Sequence, residues 1–147
     1  MTSSPEALRR LPSLLLERAA ARGGRLLTDE LAECGVRRRH YLVLAAIAEC
    51  GPVAQAELGR QLDIDGSDMV AVLNELEERA LVVRARDDRD RRRNAITLSA
   101  EGGKVLRRLD RLVGRANDRL LAALSDAERG QLVALLARVA ERTDLDG

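Results

Sequence analysis

The sequence predicts a mostly α-helical chain that carries one small β-hairpin. Three observations indicate this class: apolar residues recur at helical spacing along most of the chain, one segment alone changes to alternation, and the apolar residues are almost all aliphatic. Hydrophobic residues make up 46% of the 147 residues, yet there is one Tyr and no Phe or Trp. A single domain with an aliphatic core is therefore expected over residues 1–147.

Helices are expected first over residues 5–22 and then over residues 37–49. The first has a Ser and a Pro at its start and a Leu stripe at helical spacing. Gly23 and Gly24 are expected to end it, and a short separate helix is expected to begin at Thr28. The second helix is expected to end at the Gly-Pro pair that follows it.

Two short helices, over residues 54–62 and 67–79, come next and are joined by the tight turn DIDG. Strands follow at residues 81–86 and 94–98, where β-branched residues alternate. A helix-turn-helix followed by a hairpin is the order of a winged helix-turn-helix. The apolar face of its second helix is expected to consist of Val70, Leu73, Leu76 and Ala80.

Two helices are expected at the C-terminus. Ser99 begins one that reaches about Leu124, and a capping box from Ser125 to Glu128 opens the last, which reaches Arg142. These helices are apolar on one stripe, whereas the central unit over residues 36–98 is self-contained. Residues 1–35 and 99–147 are therefore predicted to be dimerisation helices in an isologous homodimer.

The hairpin tip carries a dense set of charges, in the stretch RARDDRDRRRNAITL. Six arginines and three aspartates lie between Arg84 and Arg93, although the formal charge of the whole chain is only +1. The positive field is thus local, which suits contact with DNA phosphates. A solvated loop is the alternative interpretation.

Several classes of function are disfavoured by the composition. Cys34 and Cys50 form no CxxC pair, so a structural zinc site and a disulfide scaffold are not expected. With one His, no HExxH and no Gly-rich phosphate loop, neither an enzyme nor a bound cofactor or metal is expected. No signal peptide or apolar run of membrane-spanning length is present, so a cytoplasmic protein without a membrane partner is expected.

The sequence resembles the multiple antibiotic resistance regulator (MarR) family of bacterial transcription factors. The resemblance covers nearly the whole chain, from the helix at Val36 through the segment from Ala56 to Gly102 to the two C-terminal helices. The resemblance depends on DRR at Asp90–Arg92 and on LSAEG at residues 98–102, where the family commonly has LT-x-x-G. It implies a homodimeric, ligand-responsive regulator of transcription, expected to be a repressor, that binds a pseudo-palindromic double-stranded DNA. Two alternatives stay open: a protein-interaction module that has lost DNA contact, and a redox-sensing regulator that uses Cys34 or Cys50.

The resemblance also implies roles for the hairpin, which would be the wing. The arginine matching Arg92 reaches into the minor groove in the family, and the aspartate matching Asp90 holds it; a narrow minor groove attracts a guanidinium. The remaining arginines of the stretch suit phosphate contacts, or pair with neighbouring aspartates in solvent. They are Arg84, Arg86, Arg89, Arg91 and Arg93.

The second helix of the helix-turn-helix is implied to be the recognition helix in the major groove. The positions expected to face bases are Gly66, Ser67, Asp68, Ala71 and Asn74. Ser67 fits the N-cap equally well, and Asn74 could read adenine with two hydrogen bonds. Gln55, which begins the preceding helix, suits a phosphate contact. This face is poor in cations, and Ala80 stands where the family commonly has Gly.

His40 and Tyr41 lie on the helix that lines the effector cleft in the family, so they are candidates for binding a small molecule. A lone His is more often a packing or surface residue. The basic run Arg37–Arg39 leaves DNA approach, binding of an anionic effector and solvation open, and solvation is favoured.

Overall fold

The computed structural model describes residues 5–87 and 90–141, with the side chains of all of these except residues 86, 87 and 90–94. A short 3-10 helix at Glu6–Arg10 precedes the first α-helix. The α-helices are α1 (Pro12–Ala32), α2 (Arg38–Cys50), α3 (Gln55–Leu62), α4 (Gly66–Glu78), α5 (Ala100–Leu120) and α6 (Asp126–Ala140). The strands are β1 (Val53–Ala54), β2 (Val82–Asp87) and β3 (Asp90–Leu98). The predicted class, mostly helical with a small hairpin, is confirmed.

The strands form an antiparallel sheet in the order β1-β3-β2. In the hairpin Val82 pairs with Leu98, and the register holds as far as Arg86 opposite Asn94 before an irregularity at Asp87. β1 was not expected; it pairs Val53 with Ile96 on the other edge of β3. The sheet packs against α2, α3 and α4, and Ile96 is fully buried in the core that they share.

The prediction that α1 ends at Gly23 is wrong, as is the separate helix at Thr28. α1 continues through both glycines, and the Thr28 hydroxyl donates to the Gly24 carbonyl at 2.8 Å within the helix. Packing explains the difference, since a Cβ on the buried Gly23 would lie 3.1 Å from Cδ2 of Leu120 on α5. Close packing against α5 thus offsets the weak helix propensity of glycine.

The junction between the sheet and α5 is tightly built. The Ser99 hydroxyl accepts from the Gly102 amide at 2.9 Å and donates to the Ala80 carbonyl at 2.6 Å, which confirms Ser99 as the start of this helix. A Cβ on Gly102 would lie 2.0 Å from the Leu81 carbonyl oxygen, so only glycine fits. Ala80 has a φ of +57°, a left-handed conformation that glycine adopts more easily.

The capping box that opens α6 is also confirmed. The Glu128 amide donates to Ser125 Oγ at 3.2 Å, and the Ser125 amide donates to Glu128 Oε1 at 2.9 Å. The bond from the Ser125 amide, followed by a contribution from the Ser125 hydroxyl, lowers the pKa of the Glu128 carboxyl. α5 ends at Leu120, four residues before the predicted end, and the chain turns before Ser125.

The terminal helices expose an apolar surface. Within the described chain, α6 has no buried residue. The large apolar side chains exposed on the N-terminal segment and on α6 are Leu8, Leu11, Leu15, Leu16, Val133, Leu135, Leu136 and Val139. Among residues 5–87 and 90–141, no helix is both long and apolar enough to cross a membrane.

Candidate nucleic-acid interface

Helix α4 has one buried side and one exposed side, as a recognition helix requires. Its buried residues are Met69, Val72, Leu73 and Leu76. The expected apolar face is wrong at two positions: Val70 is 42% exposed, and Ala80 lies beyond the helix. Helical periodicity places Val70 about 60° from Leu73 and about 40° from Asn74, next to the exposed stripe. That stripe consists of Ser67, Ala71 and Asn74, all exposed.

The structure contradicts one of the two interpretations of Ser67, that it is the N-cap of α4. Asp65, not Ser67, occupies the N-cap position, and the helix begins at Gly66. The Ser67 hydroxyl donates to Asp65 Oδ2 at 2.7 Å. This bond, together with smaller contributions from the Gly66 and Ser67 amides, lowers the pKa of the exposed Asp65 carboxyl. The Ser67 hydroxyl oxygen keeps its capacity to accept a hydrogen bond.

One flank of α4 is held by the N-terminus of α2. Arg39 Nη1 lies 2.9 Å from Asp68 Oδ2, and His40 Nε2 lies 2.5 Å from Glu75 Oε2. Asp68 and Glu75 are seven residues apart and therefore lie on one side of the helix. Two adjacent residues of α2 thus engage both acids on this side, and Asp68 faces the interface with its charge offset by Arg39.

His40 is almost fully buried, at 6% exposure, and both of its ring nitrogens are engaged. The Arg37 amide donates to Nδ1 at 3.1 Å, which leaves Nε2 as the protonated nitrogen that donates to Glu75. In this geometry the imidazole links α2 to α4. Both hydrogen bonds of His40 are therefore internal to the protein, in agreement with the packing role that was the alternative to ligand binding.

The other flank of α4 is held by β2. Arg84 Nη2 donates to Asn74 Oδ1 at 3.1 Å, and Arg84 Nε lies 3.1 Å from Glu77 Oε2. A guanidinium only donates, so the Asn74 oxygen must face it and the amide NH₂ is left for other partners. Two-point recognition of adenine needs both the oxygen and the NH₂ of asparagine. With this bond in place, one of the two acceptor positions of the Asn74 oxygen is occupied, while its NH₂ is available to donate.

The wing itself is described only in its backbone beyond Ala85. β2 lies beside α4, because Arg84 on this strand contacts Asn74 and Glu77 of that helix. The side chains of Arg86, Asp90, Arg91, Arg92 and Arg93 and the whole of Arg89 lie outside the described residues. Their expected DNA contacts stay predictions. Gln55 is half-buried at the first position of α3.

Two cavities flank α2. A groove of about 400 Å³ lies between α2 and α5 and includes Asp110 in its lining. The Tyr41 hydroxyl donates to Asp110 Oδ1 at 2.9 Å. Burial is the largest cause that raises the pKa of Tyr41, and the hydrogen bond and charge of Asp110 raise it further. A larger cavity of about 780 Å³ is lined by Thr28 and Ala32 of α1, the turn at residues 35–36 and the arginines at 37–39.

Other reactive groups are few in the part of the chain that the structure describes. It contains no group of three or more His, Cys, Asp or Glu side chains placed to hold a metal ion. Cys34 is half-buried, Cys50 is exposed, and both are free thiols.

Sequence reasoning missed the partners that hold α4. The spacing of Asp68 and Glu75 was available as a signal, because acids seven residues apart share one side of a helix. Their partners on α2, and the pairing of Arg84 with Asn74 and Glu77, depend on how the elements pack.

The fold and this interface define a winged helix-turn-helix protein with helical arms at both ends. Residues 35–93 match the model of the MarR family. A relative from Thauera aromatica, named for a regulatory role at the hcr operon, is 39% identical over 105 residues. That alignment covers 71% of this chain but only 63% of the relative, so the chain spans less than two thirds of the relative's length.

Solved structures agree along nearly the whole chain. The transcriptional repressor CouR bound to a 23-mer DNA duplex is 30% identical, with a TM-score of 0.87 over 96% of this chain and 100% of the other. CouR from Rhodococcus jostii RHA1 bound to p-coumaroyl-CoA gives a TM-score of 0.81 at 30% identity, over 96% and 99% of the two chains. A MarR-family regulator from Rhodococcus sp. RHA1 gives 0.81 at 27% identity, over 96% and 100%. The chain belongs to the MarR family.

Proposed function

We propose that the protein is a homodimeric transcriptional regulator that binds a pseudo-palindromic DNA duplex and responds to a small molecule. The observation that carries this proposal is the exposed stripe of α4, Ser67, Ala71 and Asn74, which Arg84 of the hairpin contacts through Asn74. The repressor CouR, bound to a DNA duplex, is the relative that supports it. Repression by operator binding is the mode of action we propose by analogy with CouR.

The dimer is proposed from the terminal helices. α6 buries nothing within the described chain, and its exposed Leu135, Leu136 and Val139 share one side of the helix and form an apolar surface suited to a partner. The proposed arms are residues 1–35 and 99–147, around the DNA-binding unit at 36–98. A duplex of 23 base pairs, as in the CouR complex, is about two helical turns and suits two symmetric recognition helices.

The proposed contacts follow from the geometry. Ser67, Ala71 and Asn74 face the major groove, with Asn74 as a donor to a base acceptor. Asp68, offset by Arg39, lies at the edge of this surface. The bonds that Arg84 makes favour positioning of Asn74 over a phosphate contact. The wing contributes Arg92, held by Asp90, to the minor groove. Phosphate contacts are assigned to Gln55, Arg86, Arg89, Arg91 and Arg93.

The effector is proposed to be an organic acid in the form of a coenzyme A thioester. CouR, at 30% identity, binds p-coumaroyl-CoA. We assign Tyr41 to an effector site at the groove between α2 and α5, and this assignment is supported by its hydrogen bond to Asp110, which lines that groove. His40 contributes indirectly, through its bond to Glu75 on the recognition helix.

The test is a fluorescence-anisotropy titration of the native protein with the DNA upstream of its own gene, at several salt concentrations. Specific regulation predicts binding at least 10³-fold tighter than to an unrelated duplex of equal length. A shuffled duplex of the same composition is the control. Equal and weak binding to both duplexes would contradict the proposal.

A protein-interaction module is the second candidate, favoured by one observation. α4 carries Asp68, Glu75, Glu77 and Glu78 and has neither Lys nor Arg within it, which opposes approach to DNA. Arg39 and Arg84 offset two of these acids. This candidate predicts an intact dimer that binds no duplex at low salt. A redox-sensing regulator, the third candidate, predicts a peroxide response that is lost when Cys34 and Cys50 are replaced by Ser.

A further inference from the structure

Three polar side chains on or beside α4 contact the segment that joins α1 to α2. They are Asp68, Glu75 and Arg79, the last one residue beyond the helix. Successive helical residues differ by about 100°, so these three lie within about 40° of one another around the helix axis. They are placed between the buried side of α4 and its exposed stripe. We call their contacts with residues 34–40 the junction contacts.

The contact at the C-terminal end of α4 is made by Arg79. Its Nη2 donates to the Cys34 carbonyl at 3.3 Å, and its Nη1 donates to the Gly35 carbonyl at 3.5 Å. Both carbonyls belong to the turn that ends α1, where Gly35 has a φ of +62°. The amides of Gly35 and of the residue after it donate back to carbonyls of α1, as in a Schellman motif. Arg79 therefore binds a turn whose backbone is already fixed by hydrogen bonds.

The other two junction contacts come from the first turn of α2. His40 bonds to Glu75 in the middle of α4 at 2.5 Å, and Arg39 pairs with Asp68 in its first turn at 2.9 Å. The partners of all three α4 side chains thus lie close together along the chain, at residues 34–40. The three positions on α4 are spread over about 16 Å of helix. One short segment therefore holds this helix at both ends and in the middle.

Polar contacts define the orientation of α4 more narrowly than its core packing does. The buried side chains of the helix are all apolar, and burial of apolar area is favourable without being directional. Hydrogen bonds, by contrast, weaken steeply with distance and angle. A single such contact would still let the helix rotate about that point. Three contacts spread along one side restrict both rotation and sliding.

The three junction contacts differ in how firmly they are held. The ion pair between Asp68 and Arg39 is about half-exposed on both sides, at 49% and 56%, so it contributes little by itself. His40 is buried, and its ring is fixed by a second bond, from the Arg37 amide to Nδ1 at 3.1 Å. The bond from His40 to α4 is therefore the most restrictive of the three.

We propose that His40 and Arg79 are positioning residues that set the angle between α4 and α1, and that this angle selects operators by the spacing of their half-sites. Residues 34–40 directly continue α1, which belongs to the proposed arm, so the junction contacts tie the recognition helix to the arm of its own chain. In a symmetric dimer a change of this angle moves both recognition helices at once. The inference rests on the proposed function, because it concerns how the proposed dimer meets DNA.

Spacing is tested by anisotropy titration of the native protein with a series of duplexes. Each carries the two half-sites found upstream of its own gene, with the spacer unchanged or altered by one base pair. Such a change shifts one half-site by about 3.4 Å and rotates it by about 35°. The parent is expected to prefer one spacing by at least about tenfold. Arg79→Gln is expected to reduce this preference to about threefold, because glutamine is too short to reach both carbonyls.

His40 allows its two bonds to be separated by substitution. The amide of asparagine can replace Nδ1 and that of glutamine can replace Nε2, because these groups lie at matching distances along the side chain. His40→Asn is expected to keep the bond from the Arg37 amide, to lose that to Glu75 and to lose the spacing preference. His40→Gln is expected to keep the bond to Glu75 and to restore most of the preference. Equal preferences in the two variants would contradict the role assigned to Nε2.

Arg22→Gln is the matched control for Arg79→Gln. Arg22 also donates to two adjacent carbonyls, from Nη1 to Leu120 at 3.0 Å and from Nη2 to Arg119 at 3.2 Å. These bonds join α1 to α5 and do not involve α4. Both variants are expected to lower the urea midpoint, whereas only Arg79→Gln should change the spacing preference. An equal loss of preference in both would mean that Arg79 has only a structural role.

Amide hydrogen exchange of the free protein gives a measurement that needs no DNA. Arg79→Gln and His40→Asn are expected to speed exchange in α4 relative to α3, whereas Arg22→Gln should not. A parent that binds DNA without a spacing preference would overturn the inference, as would unchanged exchange in α4. If the parent binds no duplex, the proposed function fails; faster exchange confined to α4 would then show that the junction contacts still hold this helix.

Discussion

Arg84 donates a hydrogen bond to Asn74 across 3.1 Å, from the base of the wing to the exposed side of the recognition helix. The two elements that we propose contact DNA, the wing and α4, are therefore joined by a side-chain hydrogen bond. The same guanidinium also lies beside Glu77. Arg84 is 25% exposed, so its charge is directed more toward α4 than toward solvent.

Arg84→Ala is expected to weaken operator binding by roughly fivefold, or about 1 kcal/mol, through loss of the oriented Asn74 donor. The slope of log K against log salt should stay unchanged, whereas loss of a phosphate contact lowers it by about 0.9 per contact. The comparison is made by anisotropy in a Glu77→Gln background, so that an unpaired carboxylate does not contribute. Arg84→Ala should add no loss to Asn74→Ala; additive losses would show that the two residues act separately.

Gly23 and Gly24 form a matched pair for testing the packing of α1 on α5. Gly24→Ala is expected to raise the free energy of unfolding by about 1 kcal/mol, since a Cβ there meets nothing within 4 Å. Gly23→Leu is expected to lower it by about 1–3 kcal/mol, because the side chain overlaps Leu120. Urea denaturation at one fixed protein concentration measures both. Equal effects at the two positions would show that α1 does not pack closely there.

Ala80→Gly is expected to raise the free energy of unfolding by up to about 1 kcal/mol, because it relieves the left-handed conformation at the end of α4. The increase is limited by the greater freedom of glycine in the unfolded chain. Asp63→Gly is the control: Asp63 also has a positive φ, of 52°, but Asp tolerates this region better than Ala. A larger gain at residue 63 than at residue 80 would contradict this account.

Asp65 provides a prediction for pH dependence. Its folded pKa is lowered, so its contribution to stability is present above the unfolded pKa and is lost as the pH falls through the folded pKa. Ser67→Ala removes the hydroxyl that gives the largest contribution and should raise the Asp65 pKa toward its ordinary value. A carboxyl NMR titration measures this, with Glu128 as an internal reference that should not change. An unaltered Asp65 pKa would show that Ser67 is not its main partner.

The proposed dimer is tested at the exposed apolar surface of α6. Leu135→Glu/Val139→Glu is expected to convert the dimer to monomers at micromolar concentration, because it places charges in an apolar interface. Light scattering after gel filtration gives the mass. Val83→Glu is the matched control, since Val83 is 49% exposed on the wing and outside the arms. A monomeric parent protein would contradict the proposed assembly itself.

The sequence was most informative where structure is determined locally. A few adjacent residues determine each of three features that were predicted correctly: the turn after α3, the caps at Ser99 and Ser125, and the alternation in β3. Helix α1 was not, because glycine propensity is local whereas the contact of Gly23 with Leu120 joins opposite ends of the chain. β1 has two residues, too few for alternation to be visible.

The site follows the same division. The exposure of Ser67, Ala71 and Asn74 could be deduced from helical periodicity and is confirmed. The pairing of Asp68 with Arg39 could not, because either residue alone is simply a charge on a helix surface. Partner choice is decided by packing of α2 against α4, which no local pattern specifies.

The unbroken course of α1 has a mechanical consequence. Its 21 residues form a helix of roughly 30 Å, which packs against Leu120 near its middle and ends at the turn beside the cavity lined by the arginines at 37–39. A helix interrupted at Gly23 would act as a hinge and absorb movement of that turn. A continuous helix moves as one rigid element. A displacement of its end at Ala32 is therefore transmitted past the contact at Gly23 to its other end at Pro12.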